Sequence, residues 1–543
     1  MKMKTISICF LGLLLLTNLN SCKKDFLDRK PLDTYSELDV WTDLNLVQTF
    51  INSKYRALPH FYNWGAAANG PGLSAASDEG YSKFNYESVF LWNKGEISPD
   101  NLSMDSWTPD YGFIRDCNSF FEKIGTVKGD EGIKKRMTGE MKFIRAWCYF
   151  NLISRYGGVP LITKVYSLSD PDFLAARNTY AECMAFVVKE LDEAIPLLPD
   201  SYSGKDLGRA TKGAVLALKS RALLYAASAL NNPSNDRAKW QAAADATKAM
   251  LDAPGFGLYT GADYKQLFLE KFNREIIMSY GMNGTDWESS LDVMIAPNGY
   301  HGWSVYAPSQ NLVDDFEMKN GKMISDPASG YDPANPYLNR DPRFNATILY
   351  NGTPFRGRNA EYFKGGLDSP QSPVEDWNAS LTGYNWRKYA DESHDMDATG
   401  STQNWVIFRL AEVYLNYAEA QYELGNEPEA RNYLNLVRSR PSVNMPPVTA
   451  GSTALRDAIR HEREIELCFE GHRFYDVRRW KIAAVTENKA IRGVNITKNQ
   501  NGSFSYAYFD LQPRKFLEAN YLFPIPKYEI QKNKLLTQNP GYQ

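Results

Sequence analysis

A mostly helical chain, built as a tetratricopeptide-like scaffold with a loop-rich ligand-binding lobe, is the architecture this sequence predicts. Helical blocks with one apolar face recur along it, and one pair is joined by a two-residue turn. Two long stretches rich in Gly, Asn, Pro and Ser, 63–111 and 281–404, interrupt the helices. Structureless segments of that length are uncommon inside compact domains and often carry function.

The elements follow in order. Residues 139–156 space Phe143, Trp147, Phe150 and Ile153 along one face and stop at Gly157-Gly158, with Pro160 beyond. Residues 180–198 place Met184, Val187, Val188, Leu191 and Ile195 on one side. Residues 212–230 and 238–251 form a further pair, separated by Asn231-Asn232-Pro233. Residues 408–424 predict a helix, Gly425-Asn426 the turn, and 427–439 the returning helix. Asn426 followed by Glu429 reads as a capping box, and Pro428 is tolerated in a first turn. Ala418, Ala420 and Ala430 let the pair approach closely, the geometry of a unit that buries its face only by stacking on the next. An unrelated helical bundle would satisfy the same periodicity. Residues 455–470 add a last helix, ending at Gly471.

The first residues are a targeting segment. Lys2 and Lys4 precede a largely apolar run, 6–16, too short to span a bilayer as a helix. Leu19-Asn20-Ser21-Cys22 then reads as a lipobox, so 1–21 is expected to be a lipoprotein signal peptide and Cys22 the lipidated residue. The charged stretch after it, 23–31, predicts a tether between anchor and folded body.

Composition closes off several functions. A net charge of -3 gives no footprint for nucleic acid. Cys117, Cys148, Cys183 and Cys468 show no CxxC spacing, which argues against zinc and thioredoxin-type chemistry, and Cys148 and Cys468 are expected to be buried thiols. His461-Glu462 does not extend to HExxH because position 465 is Ile, so no metal and no cofactor is expected. Glu462, Glu466 and Glu470 are i,i+4 neighbours interleaved with arginines, not carboxylates opposed across a cleft. Asp341-Pro342-Arg343 reads as a turn fixed by a salt bridge. No catalytic residue is assigned.

Several blocks together resemble the SusD/RagB family of Bacteroidetes outer-membrane lipoproteins. They are FLDRKPLDTY (26–35), SDEGY (77–81), FIRAWCYFNLISRYGGVPLI (143–162), NRDPRFNATILYNG (339–352), TGYNWRKY (382–389), FRLAEVYLNYAEA (408–420), RHEREIELCFEGHRFYDVRRW (460–480), YLFPIP (521–526) and QNPGY (538–542). The resemblance implies one intertwined globular unit, with 22–235 as the N-terminal and 270–543 as the C-terminal part. It implies a non-catalytic receptor, lipid-anchored in the outer membrane and facing the cell exterior. Such a receptor captures oligosaccharide for a SusC-like TonB-dependent barrel. Some relatives bind peptide instead, so a peptide receptor competes with the glycan receptor. A surface glycoside hydrolase and a pure assembly scaffold compete with both.

Sugar rings stack their C–H faces on aromatic rings, while their hydroxyls need directional polar partners. Two loop stretches offer both. Asp78, Tyr81, Trp92 and Asn93 come from the first, and Trp287, Tyr300, Trp303 and Tyr306 from the second. Trp92 and Trp303 are expected to form the stacking platform. Any one of these tryptophans could instead be a core residue that anchors its loop.

Overall fold

The computed structural model describes residues 37–542 apart from 61–69, 71, 85–87, 168–169, 171–173, 282–289 and 398–399. The signal segment, the lipidation site Cys22 and the tether lie outside the described residues.

Eight helices carry the fold: α1 (Trp107–Lys123), α2 (Glu131–Tyr156), α3 (Tyr180–Ala194), α4 (Lys212–Ala227), α5 (Arg237–Leu251), α6 (Leu410–Glu423), α7 (Glu427–Arg438) and α8 (Ser452–Leu467). Each of α1 to α6 packs on the next, and α6 meets both α7 and α8, so the stack runs across the long loop-rich insertion. Local chemistry fixes the ends. The Asp130 carboxylate accepts from Ile133 N at 2.8 Å, which starts α2 eight residues before the expected position 139. Thr179 and Glu182 form a capping box on α3. The box expected at Asn426 and Glu429 does not form: the Asn426 amide donates to Gln421 Oε1 instead, which ties the turn back to α6.

The small residues at the α6–α7 turn behave as their size dictates. Ala418, Ala420 and Ala430 are fully buried, and Leu415, Leu434, Val437, Leu455 and Ile459 fill the seam of α6, α7 and α8. On its other side, α6 packs Tyr417, Ala420 and Leu424 against Leu224, Trp240 and Ala243 of α4 and α5.

Two strand features add to the helices read from sequence. Phe408 and Arg409, read as the first turn of a helix, belong to strand β2 (Trp405–Arg409), which pairs antiparallel with β1 (Ile276–Tyr280). The run Trp405-Val406-Ile407-Phe408 is wholly buried, the pattern of a strand covered on both faces. A hairpin of β3 (Ile491–Lys498) and β4 (Phe504–Gln512) lies near the C-terminus.

The acidic α8 is a structural element. Glu462 and Glu466 are buried against Arg343, whose guanidinium also grips Asp341 at 2.7 Å. Asp341-Pro342-Arg343 is thus salt-bridged as expected, but it opens the helix Pro342–Thr347 with Asp341 as its cap rather than a free turn. Among the described residues, Cys117, Cys148, Cys183 and Cys468 are all buried free thiols.

Candidate functional site

The two loop stretches do converge, but at an internal joint. Gly80 and Tyr81 pair with Pro308 and Ala307, and Ser309 donates through Oγ to Asp78 O at 2.6 Å and through N to Glu79 O at 2.9 Å. Here the expected ligand residues are committed to the fold. Burial alone would raise the Asp78 carboxyl, but Arg473 Nε and Nη2 donate to it at 2.8 and 2.7 Å and hold it below the usual carboxylate range. Asn93 is buried, its amide donating to Ala75 O at 3.0 Å, and Tyr306 sits in the main core.

Trp92 is a correction to the expected platform. It is 3% exposed, with its ring 4.3 Å from Phe523 and 5.5 Å edge-on to Phe474. The segment Phe90–Lys94 is a helical turn whose apolar side faces the core, so the neighbouring Gly95 and Asn93 mark a helix end rather than a sugar site. Trp92→Ala is therefore expected to cost about 3–5 kcal/mol of stability. Urea midpoints check this, and an unchanged midpoint would return Trp92 to the surface.

Glu79, beside Asp78, makes the joint pH-sensitive. Burial pushes its carboxyl up to about 8. A group raised on folding stabilises fully below its unfolded value, about 4.3, and loses that contribution as pH rises through 8. Melting temperature should fall between about pH 5 and 8, and Glu79→Gln should narrow that fall. It will not abolish it, because Glu464 and Asp315 are also raised by burial. An equal fall in both proteins would contradict this assignment.

An open cleft of about 390 Å³ does combine ring platforms with polar groups. Its first wall is the segment 290–303. Trp303 N donates to Val293 O at 2.7 Å and Val305 N to Met294 O at 2.8 Å, folding the chain back on the short helix Leu291–Ile295. The return requires Gly302, since a Cβ there would lie 2.2 Å from Ala296 O. Trp303 emerges half-buried on the cleft side. Tyr300 props the turn from below: its hydroxyl donates to Phe355 O at 2.9 Å and its ring lies 3.8 Å from the Arg358 guanidinium. Tyr300 does not line the cleft.

The second wall is 375–378. Trp377 is 65% exposed, the most exposed aromatic among the large hydrophobic side chains of the described residues. Its backbone is pinned by Lys83, whose ammonium donates to Trp377 O and, at 2.7 Å, to Ala379 O; burial pushes Lys83 down to about 8. Asn298 donates to Val374 O at 2.8 Å, tying this wall to the first. Across the mouth, His301 Nδ1 lies 3.2 Å from Glu375 Oε1, and both residues hold left-handed backbone, φ 61° and 42°. Strain of this kind persists where the surroundings fix it and is characteristic of ligand sites. Asn378 is 1% exposed; its amide donates to Glu375 Oε2 at 3.2 Å, while its Oδ1 has no partner among the described residues.

The third wall is built on Asp292, which is 1% exposed. It accepts from Asp391 N at 3.0 Å, Gln403 Nε2 at 3.1 Å and His394 Nδ1 at 2.8 Å, while its own amide donates to Ser401 Oγ. His394, Met396, Asp397 and Ser401 complete the lining.

Of the expected residues that are described, Trp303 alone lines this cleft; Tyr81 lies at the joint, and Trp287 lies outside the described residues. Trp377, Glu375, Asn378 and His301 are not among the ligand residues expected from sequence. The available signal was a loop tryptophan enclosed by polar neighbours, Glu375-Asp376-Trp377-Asn378. Elsewhere, a groove of about 280 Å³ passes Leu207, Phe272 and Tyr280. No group of three or more metal-ligating side chains occurs among the described residues.

Comparison with known proteins bears on the whole chain and its fold. Residues 274–542 match the model of the SusD family, and residues 25–224 match a second model described as starch-binding associating with outer membrane. A SusD-like protein of Bacteroides fragilis superposes with a TM-score of 0.82 at 31% identity, covering 95% of this chain and all of that one. A SusD-like carbohydrate binding protein of the same organism gives 0.78 at 27% identity, covering 92% of this chain and all of that one. SusD-like protein P2 of Formosa agariphila is 25% identical over 99% of this chain and its own full length.

Proposed function

The chain belongs to the SusD family, and from that premise we propose that it is a non-catalytic receptor that binds glycan in the cleft between Trp303 and Trp377. The observation that carries the reading is Trp377: an indole 65% exposed, its backbone pinned by Lys83, lining a polar cleft that a second tryptophan, Trp303, also lines. An exposed indole contributes little to the core, whereas two ring platforms flanked by Glu375, Asn378 and His301 are what a pyranose requires. The carbohydrate-binding relative in Bacteroides fragilis and the outer-membrane description of the second matched model support the same reading. On it, the protein is held at the outer membrane through lipid on Cys22 and delivers oligosaccharide to a SusC-like TonB-dependent barrel.

The carboxylates of α8 favour the absence of hydrolysis, since Glu462 and Glu466 are sealed in ion pairs away from the cleft. Affinity electrophoresis against a polysaccharide panel, with a parallel assay for reducing ends, tests the reading. Retention without new reducing ends is expected. Release of reducing ends, or retention by peptide substrates alone, would overturn it.

A further inference from the structure

We propose that the Trp303–Trp377 cleft selects uncharged, hydroxyl-rich glycans and rejects uronate and sulfated ones; this rests on that cleft being the glycan site. The hydrogen-bonding sense of the lining points this way. Glu375 and Asp397 present carboxylates, and Asn378 presents a buried carbonyl oxygen with no partner among the described residues. All three accept. Among the described residues the lining holds no lysine or arginine.

The cations that come near are engaged from behind. Lys83 donates to the carbonyls of Trp377 and Ala379, and Arg356 to those of Asp391 and His394. Arg358 is held by Asp368 at 2.8 Å through two nitrogens. The imidazoles of the lining are likewise paired, His301 with Glu375 and His394 with Asp292.

Such a lining suits a ligand that donates. Each free sugar hydroxyl brings a proton to an acceptor, so a neutral polyol satisfies both carboxylates at once. A uronate or sulfate group brings only further acceptors and a like charge, and a like-charge juxtaposition inside a binding site is strongly disfavoured. The cleft thus discriminates by what it refuses as much as by what its tryptophans stack on.

The test uses purified protein on affinity gels containing neutral polymers (laminarin, amylopectin, mannan) or anionic ones (polygalacturonate, alginate, chondroitin sulfate). Wild type, Trp377→Ala and Glu375→Gln/Asp397→Asn are compared, with melting temperatures to show that each is folded. The expected result is retention by a neutral polymer, lost in Trp377→Ala, and none by the anionic polymers. That retention should persist when salt rises from about 0.05 to about 0.5 M, because no ion pair is broken. The double variant should gain at least about tenfold in affinity for an anionic polymer, because two like charges in the lining are removed.

Retention of wild type by an anionic polymer, lost in Trp377→Ala, would overturn the charge selectivity while leaving the site in place. Retention indifferent to Trp377→Ala, or retention by neither class, would overturn the site and the selectivity together. A double variant that gains nothing for acidic polymers would overturn the role given to the two carboxylates.

Discussion

Trp377→Ala is expected to abolish measurable glycan binding while leaving the melting temperature within about a degree of wild type. The two halves of this result have different causes. Trp377 is 65% exposed, so little apolar contact is lost in the free protein when it is truncated. In the complex the indole is a central anchor, and removing such an anchor typically costs about 2 kcal/mol or more, roughly thirtyfold in affinity. Trp303→Ala should lose binding to a similar degree but also some stability, because that ring is half-buried. Isothermal titration with an oligosaccharide from whichever polymer is retained decides it, and wild-type affinity in the Trp377 variant would move the site elsewhere.

A large stability effect is also expected at Glu466. Its carboxylate accepts from Arg409 at 2.6 Å and Arg343 at 2.9 Å and is paired as well with Arg440, all four side chains being fully buried or nearly so. Burial opposes ionisation, but these guanidiniums hold the carboxyl well below the usual carboxylate range. Removing one partner from such a network leaves buried charge uncompensated and costs about 3–5 kcal/mol. Glu466→Ala should therefore lower the urea midpoint sharply without touching glycan retention at temperatures where it is folded. The sign of the pH effect is opposite to that of Glu79. A carboxyl lowered on folding stabilises above its unfolded value, about 4.3, and loses that contribution as pH falls through the folded one. A change below about 1 kcal/mol would mean the network is no more than a surface pair.

What is legible in the sequence follows the physics of each element. The helices are readable because their apolar residues repeat at the helical period and end at glycine or proline, as at Gly157 and Gly425. The 408–409 boundary is not, because Trp405-Val406-Ile407-Phe408 is apolar at every position, and an apolar run carries no period to distinguish strand from helix. The hairpin 491–512 does leave a signal, since Asn499, Asn501 and Gly502 mark a turn between β-branched and aromatic stretches.

In the candidate cleft, Trp303 is legible from sequence and Trp377 is not. Trp92 and Trp303 look alike in sequence, each beside a glycine-containing segment. Their difference is set by what packs on them, and Phe474 and Phe523 lie over 380 residues beyond Trp92. Trp377 is brought to Trp303 by tertiary contacts such as that of Asn298 with Val374, which no local pattern encodes.

The most direct test of the glycan cleft is a crystal structure of the protein soaked with the oligosaccharide that gel retention identifies. The expected complex has a pyranose ring stacked on Trp377, with hydroxyls donating to Glu375 and Asp397 and the chain running toward Trp303. Sugar bound instead in the groove past Leu207 and Phe272, with the Trp377 cleft unoccupied, would contradict it.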